Sequence, residues 1–265
     1  MPDREPETAR PYGIEGQVDS PPLPGTVVVR PDNEELHHAL GSDLLLHAKN
    51  CVRAFGDFHL ALSGGSTPLP FYERLMTDPA FRELPWEQTH LWIVDERRVP
   101  LDDAKSNFRH IAELIVEHSD VPRTNVHPMA ATDDDADIAY ERVMREVLSW
   151  REKGHDRLDF VLLGMGGDGH TASLFPHSPA LRERERLIVI NEGDAVTPPP
   201  RITMTYPLIN GARFVAVLVT GEGKRDMLAR IAARDGSSTE LPILGIEPIG
   251  GDLRWYIDHA AAGVA

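Results

Sequence analysis

The sequence predicts an α/β fold built on a mostly parallel sheet with helices on both faces. Short, β-branched apolar runs alternate along the chain with longer stretches of helical periodicity, which is typical of βαβ units. The run at 158–164 is apolar almost throughout, as expected of a central strand covered on both faces. No internal repeat and no Gly/Ser-rich linker interrupts the chain, so we expect one α/β domain over residues 26–265.

The predicted strands are short runs that are rich in β-branched, aliphatic or aromatic residues. They occupy residues 26–30, 58–62, 89–95, 158–164, 186–191, 201–206, 213–221 and 253–257. Stretches with helical spacing lie between them, at 33–55, 69–76, 106–118, 133–153 and 223–234. In the first helix, Leu36, Leu40 and Leu44 fall on one face. Either Asp32 or Asn33 can cap its start.

Residues 1–25 are predicted to be a disordered or loosely packed tail. They contain six prolines and few large apolar residues. Such a segment cannot bury enough apolar surface to offset the entropy of ordering its backbone. The packed part of the chain is therefore expected to begin at residue 26.

Composition and charge exclude several classes of protein. The 265 residues include 42 Asp+Glu against 27 Lys+Arg, and this net charge of −15 argues against nucleic acid as a partner. No apolar run approaches the roughly 18 residues of a membrane span, and the charged, Pro-rich start is not a secretory signal. The single cysteine, Cys51, is expected to be a buried small residue in a reducing compartment. We therefore expect a cytoplasmic protein without a membrane partner, either a monomer or a small homo-oligomer.

The residues that follow each strand are the first candidates for a site, because ligands of such sheets bind at the carboxyl ends of the strands. The turn after the strand at 58–62 consists of Ser63, Gly64, Gly65, Ser66, Thr67 and Pro68. Its glycines allow close approach to a ligand, and free N–H groups at the start of the next helix favour phosphate. The alternative is a turn with no ligand, in which Ser66 or Thr67 merely caps the helix. The spacing and lysine of a P-loop are missing.

Four charged residues follow the strand at 89–95, namely Asp95, Glu96, Arg97 and Arg98. Arginine offers planar, multidentate donors to a phosphate or a carboxylate. The alternative is a solvated loop with internal ion pairs. Arg201 and Lys224 also follow strands or open helices, although each alone is typical of a surface charge.

The end of the strand at 158–164 satisfies the dinucleotide pattern GxGxxG through Gly164, Gly166 and Gly169. We reject a dinucleotide site, because that pattern requires a long helix directly afterwards and two prolines soon follow. The glycines are better explained as exposing Asp168 and His170. Histidine suits proton transfer near neutral pH, and a carboxylate can fix its tautomer. The alternative is a histidine that caps a helix or packs in the interior.

Longer segments around these strand ends carry a family resemblance. They are LALSGGSTPLPFYERL, WIVDERRVPLDDAKSNF, FVLLGMGGDGHTASLFP and RITMTYPLINGARFVAVLVTGEGK. Together and in order, they resemble the glucosamine-6-phosphate isomerase/6-phosphogluconolactonase family over about residues 26–260. The resemblance implies a Rossmann-like α/β fold in a lactonase domain. It also implies hydrolysis of 6-phospho-D-glucono-1,5-lactone to 6-phospho-D-gluconate in the oxidative pentose phosphate pathway, with no metal or organic cofactor.

The same resemblance implies roles for individual residues. His170 corresponds to the general base that activates water, and Asp168 to its orienting partner. The implied substrate-binding residues are Ser63, Gly64, Gly65, Ser66, Thr67, Asp95, Arg97, Thr171, Arg201 and Lys224. Which of the three cations holds the phosphate, and which faces the lactone carbonyl, stays open at this point.

Two departures from the deaminases of the family favour the lactonase. Phe175 stands where the deaminases have a glutamate for ring opening, and Arg97 stands where they tend to have a tyrosine. An amino-sugar phosphate isomerase or deaminase is the alternative enzyme. A non-catalytic sugar-phosphate binding protein is the alternative outside catalysis, and the intact Asp168 and His170 oppose it.

Overall fold

The computed structural model describes residues 20–197 and 199–264, in which strands and helices alternate. The strands are β1 (Thr26–Arg30), β2 (Phe58–Leu62), β3 (Thr89–Ile93), β4 (Asp95–Arg97), β5 (Val126–His127), β6 (Phe160–Gly164), β7 (Ile188–Asn191), β8 (Arg201–Met204), β9 (Phe214–Val219) and β10 (Asp252–Asp258). The α-helices are α1 (Asn33–Phe55), α2 (Leu69–Thr77), α3 (Asn107–Ile111), α4 (Ala136–Leu148), α5 (Tyr206–Gly211), α6 (Arg225–Ala232) and α7 (His259–Ala262).

A seven-stranded parallel sheet forms the centre, in the order β1-β10-β9-β6-β2-β3-β5. The predicted α/β class with a parallel sheet is therefore confirmed. Every residue of β2 and of β9 is buried, as expected of strands covered on both faces. Because β2 pairs with both β3 and β6, the turns that follow these three strands meet at one edge of the sheet.

Helix α1 follows directly from its sequence. The Asp32 side chain accepts the N–H of Glu35 and so caps the helix, and Gly56 ends it in the left-handed conformation at φ +90°. The predicted apolar face is confirmed, since Leu36, Leu40 and Leu44 are fully buried. Burial of each leucine side chain contributes roughly 2 kcal/mol to folding.

A second, three-stranded antiparallel sheet corrects part of the predicted topology. Its order is β4-β8-β7, and it contains two of the runs that we expected to be further strands of the main sheet. The predicted strand at 89–95 breaks at Val94, where the chain leaves β3 and enters β4. Val94 N–H donates to Leu62 and its carbonyl accepts from Met204, so this residue connects the two sheets.

Several other boundaries also differ from the prediction. The helix expected to reach residue 153 ends at Leu148, and the helix expected at 106–118 becomes a π-helical turn from Ala112. The two-residue strand β5 was not predicted.

Within the predicted tail, residues 1–19 lie outside the described part of the chain. Packing begins before residue 26, because Leu23 is buried and the Pro24 carbonyl accepts the indole N–H of Trp255 at 2.8 Å. Cys51 is buried as expected, and burial raises the pKa of its thiol to about 12. Among the described residues, no helix has the length and hydropathy needed to span a membrane.

Candidate active site

A cavity of about 300 Å³ opens at the carboxyl edge of the parallel sheet. It is formed where the turns after β2 and β6 meet the antiparallel strands β4 and β8. Most of the predicted site residues line it, namely Ser63, Gly64, Gly65, Ser66, Thr67, Asp95, Arg97, His170 and Arg201. Asp168, Thr171 and Lys224 are not part of its lining.

The turn after β2 is held from below by hydrogen bonds. Ser63 Oγ donates to the Leu162 carbonyl at 2.7 Å, and the Tyr72 hydroxyl donates to the Ser63 carbonyl at 2.6 Å. The alternative in which Ser66 or Thr67 caps the helix does not hold, because α2 starts after Pro68 and no side chain caps it. The hydroxyls of Ser66 and Thr67 therefore line the pocket without a capping role.

Two arginines face this turn from neighbouring strands. Arg97 and Arg201 are direct partners in the antiparallel pairing of β4 with β8, and both line the cavity. Neither forms a salt bridge within the described part of the chain. Burial and the charge of Arg97 lower the pKa of Arg201. Two guanidinium groups thus meet beside a glycine turn, which is an arrangement that attracts an anion.

Glu96 is fully buried beneath these arginines. Its carboxylate accepts the backbone N–H groups of Arg97 at 2.8 Å, Asn107 at 2.7 Å and Phe108 at 2.8 Å, and the hydroxyl of Ser106 at 3.0 Å. Burial raises the pKa of Glu96, against the effect of these hydrogen bonds. The contacts fasten β4 to the start of α3, so the alternative of a solvated charged loop does not hold for this residue.

Asp95 is also buried, and it accepts the Ser173 hydroxyl at 2.6 Å. Sequence reasoning missed Ser173 and Asn107, which both line the cavity. The side chain of Ser106 caps α3, whereas Asn107 follows it at the first position of the helix. No local sequence signal indicates that Asn107 lines the pocket and Ser106 caps the helix. The position of Asn107 depends instead on the packing of distant segments against α3.

His170 and Asp168 form a hydrogen-bonded pair. The distance from His170 Nδ1 to Asp168 Oδ1 is 2.5 Å, and the side chains are 32% and 50% exposed. Burial opposes ionisation of Asp168, but its hydrogen bonds with His170 lower its pKa to about 2. A carboxylate at Nδ1 places the proton of the neutral ring there and leaves Nε2 as a proton acceptor. A Cβ on Gly166 would lie 2.1 Å from His170 Nδ1, so this glycine makes room for the pair.

Lys224 and Thr171 contact the backbone on either side of this loop. Lys224 Nζ donates to the Met165 carbonyl at 2.7 Å, and Thr171 Oγ1 donates to the Gly164 carbonyl at 2.8 Å. Burial lowers the pKa of Lys224, while the charge of Asp168 acts in the opposite direction. Lys224 therefore contacts the loop after β6, whereas the two arginines lie on β4 and β8.

A group of residues with potential metal ligands lies elsewhere, at the amino ends of β2 and β3. The side chains of Asp57, His59 and His90 bring one ligand atom each within 4.8 Å of the others. Trp92 Nε1, which can only donate, binds His59 Nδ1 at 3.1 Å, so the proton of the neutral ring is on Nε2, which donates to Asp57. Asp57 is further paired with Arg151 at 2.6 Å. Asp57 and His59 are thus already bound by each other, by Arg151 and by Trp92, and this does not fit a cation site.

Residues 31–255 match the protein family described as glucosamine-6-phosphate isomerases/6-phosphogluconolactonase. The chain belongs to this family. The resemblance that the sequence segments indicated is thereby confirmed, and the family fold agrees with the parallel sheet and helices described above.

Individual members of the family include named lactonases. A 6-phosphogluconolactonase from Nostoc sp. is 39% identical over 240 residues, which cover 89% of this chain and 96% of the relative. A human GDH/6PGL endoplasmic bifunctional protein is 40% identical over 237 residues, which cover 86% of this chain and 29% of the relative. This chain therefore spans less than a third of that bifunctional protein. The crystal structure of 6-phosphogluconolactonase from Thermotoga maritima superposes with a TM-score of 0.72 at 29% identity, covering 88% of this chain and 99% of that structure.

Proposed function

We propose that the protein hydrolyses 6-phospho-D-glucono-1,5-lactone to 6-phospho-D-gluconate, a step of the oxidative pentose phosphate pathway. The observation that carries this proposal is the proximity, in one pocket, of His170 and the facing pair Arg97 and Arg201. The histidine offers proton transfer, and the two guanidinium groups offer anion binding. A phosphorylated lactone needs both.

In the proposed complex, the phosphate binds the turn from Ser63 to Thr67 together with Arg97 and Arg201. The turn contributes hydroxyl and backbone N–H donors, and the arginines contribute charge-assisted hydrogen bonds. The contact between Lys224 and the Met165 carbonyl supports a different role for the lysine, which is to hold the loop that carries His170. Thr171 acts in the same way through the Gly164 carbonyl.

The proposed chemistry begins with water beside His170. His170 Nε2 takes a proton from this water as its oxygen attacks C1 of the lactone, and Asp168 stabilises the imidazolium that forms. The carbonyl oxygen gains negative charge, which nearby N–H groups or a guanidinium stabilise. The ring oxygen then leaves with the proton from His170. Water supplies the added oxygen and both added hydrogens, and His170 returns to its neutral form.

Recognition must be local in this scheme. The chain carries a net charge of −15, and its proposed substrate is also an anion, so long-range electrostatic steering is unfavourable. The two arginines and the turn therefore account for the attraction at short range.

A coupled assay tests the proposal. Freshly generated 6-phosphogluconolactone is supplied, appearance of 6-phosphogluconate is followed, and the spontaneous opening of the lactone is subtracted. We expect enzyme-dependent hydrolysis of the phosphorylated lactone and much slower hydrolysis of unphosphorylated gluconolactone. Ammonia release from glucosamine 6-phosphate, with no lactone hydrolysis, would instead establish the deaminase. Phe175 opposes that reaction, because it stands where the deaminases have a glutamate. Its ring centroid lies 4.8 Å from that of His170. Binding of the sugar phosphate without any turnover would establish the non-catalytic alternative.

The cytoplasmic location and the oligomeric state stay predictions. The name of the human bifunctional relative assigns that protein to an endoplasmic compartment. Fractionation of cells and light scattering of the purified protein test these two expectations.

A further inference from the structure

Asn107 occupies the narrow space between the turn after β2 and strand β4. The residue is 2% exposed and lies at the first position of α3. A Cβ on Gly64 would lie 1.8 Å from Asn107 Oδ1, so the glycine leaves the amide just enough room. This position lets one side chain contact two separate parts of the pocket wall.

Both ends of the Asn107 amide are engaged in β4. Its Oδ1 accepts from Arg97 Nη1 at 2.7 Å, and its Nδ2 donates to the Asp95 carbonyl at 2.7 Å. The orientation of the amide is chemically forced, because a guanidinium can only donate and a carbonyl can only accept. A side chain held in this way cannot flip.

These contacts determine which edge of the Arg97 guanidinium is free. Arg97 Nη1 donates to Asn107 Oδ1 and to the Lys105 carbonyl at 2.8 Å, which uses both of its hydrogens. Within the described part of the chain, the side-chain Nε and Nη2 make no hydrogen bond. That edge is the planar fork that binds two oxygens of one phosphate or carboxylate.

We propose that Asn107 is the positioning residue of the anion site: it holds Arg97 so that the Nε–Nη2 edge faces the ligand phosphate beside the glycine turn. This inference rests on the proposed function for the identity of the ligand. Asn107 takes no part in proton transfer in this proposal. It affects ligand binding only by fixing the orientation of the Arg97 guanidinium.

The test measures the dissociation constant for 6-phosphogluconate by calorimetry, so it needs no turnover. Asn107→Ala is expected to weaken binding about tenfold, as for loss of a hydrogen bond to a charged group, whereas Arg97→Ala weakens it more. In the Arg97→Ala background, Asn107→Ala should change the dissociation constant less than twofold. The same loss in both backgrounds would overturn the proposal, since additivity means that the two residues act independently.

Two further variants serve as a replacement, should Asn107→Ala not fold, and as a control. Gly64→Ala perturbs the same amide from the opposite side and is used if Asn107→Ala does not fold. Because Gly64 also belongs to the turn proposed to bind phosphate, its loss supports the proposal only if it falls below twofold in the Arg97→Ala background, and an equal loss in both backgrounds overturns it. Asn50→Ala is the matched control, because Asn50 Oδ1 also accepts from an arginine, Arg53, at 2.8 Å on the exposed surface of α1. Wild-type affinity in both Asn107→Ala and Gly64→Ala would contradict the proposal. Tight, Asn107-dependent binding in a protein that does not hydrolyse the lactone would refute only the proposed function.

Discussion

Two Asp-x-His pairs occupy opposite ends of the parallel sheet. Asp57 and His59 lie at the start of β2, and Asp168 and His170 follow the end of β6. In both pairs a carboxylate two residues earlier binds the imidazole. The spacing alone therefore does not distinguish a structural histidine from one that is available to a ligand.

The surroundings of the second ring nitrogen differ. His59 is fully buried, and its Nδ1 accepts the N–H of Trp92 while its Nε2 donates to Asp57, so both nitrogens are occupied. His170 lines the pocket with its side chain 32% exposed, and only its Nδ1 is bound within the described part of the chain. A nitrogen that can exchange a proton with water is the property that separates the two pairs.

The residue between aspartate and histidine has a corresponding difference. Phe58 is a buried strand residue, whereas Gly169 adopts φ +81°, a conformation that side chains rarely tolerate. The glycine turn folds Asp168 back onto His170 outside regular structure. His59 instead belongs to β2 and is fully buried in the sheet, so its pair with Asp57 contributes to stability.

The largest expected effect is on catalysis. His170→Ala should lower kcat for the phosphorylated lactone roughly 10²- to 10⁴-fold, as loss of a general base does. The urea midpoint should stay close to that of the wild type, because the side chain is partly exposed. His59→Phe is the matched substitution at the other pair. We expect it to lower the free energy of unfolding and to change kcat of the folded protein little. The comparison fails if His170→Ala retains wild-type kcat.

A smaller effect is expected on stability alone. Trp92→Phe removes the N–H that donates to His59 Nδ1 and should lower the free energy of unfolding by about 1–3 kcal/mol, since a buried acceptor is left unsatisfied. Urea denaturation measures this change, and kcat should not move. Trp150→Phe is the control, because Trp150 is 90% exposed. Equal stability of the two variants would show that the indole N–H contributes nothing.

The third effect appears only below pH 6.5 and concerns the pH dependence of stability. Burial, reinforced by the charges of His90 and His59, lowers the pKa of His127 from 6.5 to about 3. The unfolded chain binds this proton more readily, so the stabilisation is complete above pH 6.5 and is lost as the pH falls toward 3. His127→Gln should flatten the decline in unfolding free energy below pH 6.5 by up to about 1.4 kcal/mol per pH unit. An unchanged slope, equal to that of the exposed control His118→Gln, would contradict this assignment.

Sequence periodicity was sufficient for the parallel sheet because its main strands are short runs rich in β-branched, aliphatic or aromatic residues, and β9 is apolar throughout. The rule that ligands bind at strand ends then located the glycine turn and His170. It could not locate the antiparallel sheet, whose strand β4 reads Asp-Glu-Arg and has no apolar signal. Only the tertiary structure supplies the four donors that make the burial of Glu96 possible.

The sequence also could not show which of the three cations, Arg97, Arg201 and Lys224, lie next to each other. Arg97 and Arg201 are adjacent because of the register between β4 and β8, and register depends on pairing between residues about a hundred positions apart. Lys224 has the same charge and also follows a strand, yet its ammonium is directed to the Met165 carbonyl. Local sequence does not encode these directions.

The facing arginines have a consequence for the lifetime of the protein. Arg97 and Arg201 are paired across neighbouring strands, and the charge of Arg97 contributes to the lowered pKa of Arg201, so an anion bound between them would relieve this repulsion. Any ligand that binds only the folded chain also shifts its unfolding equilibrium by mass action. Under the proposed function, abundant phosphorylated sugar acids would therefore protect this chain from thermal unfolding and proteolysis, and its abundance would follow their supply.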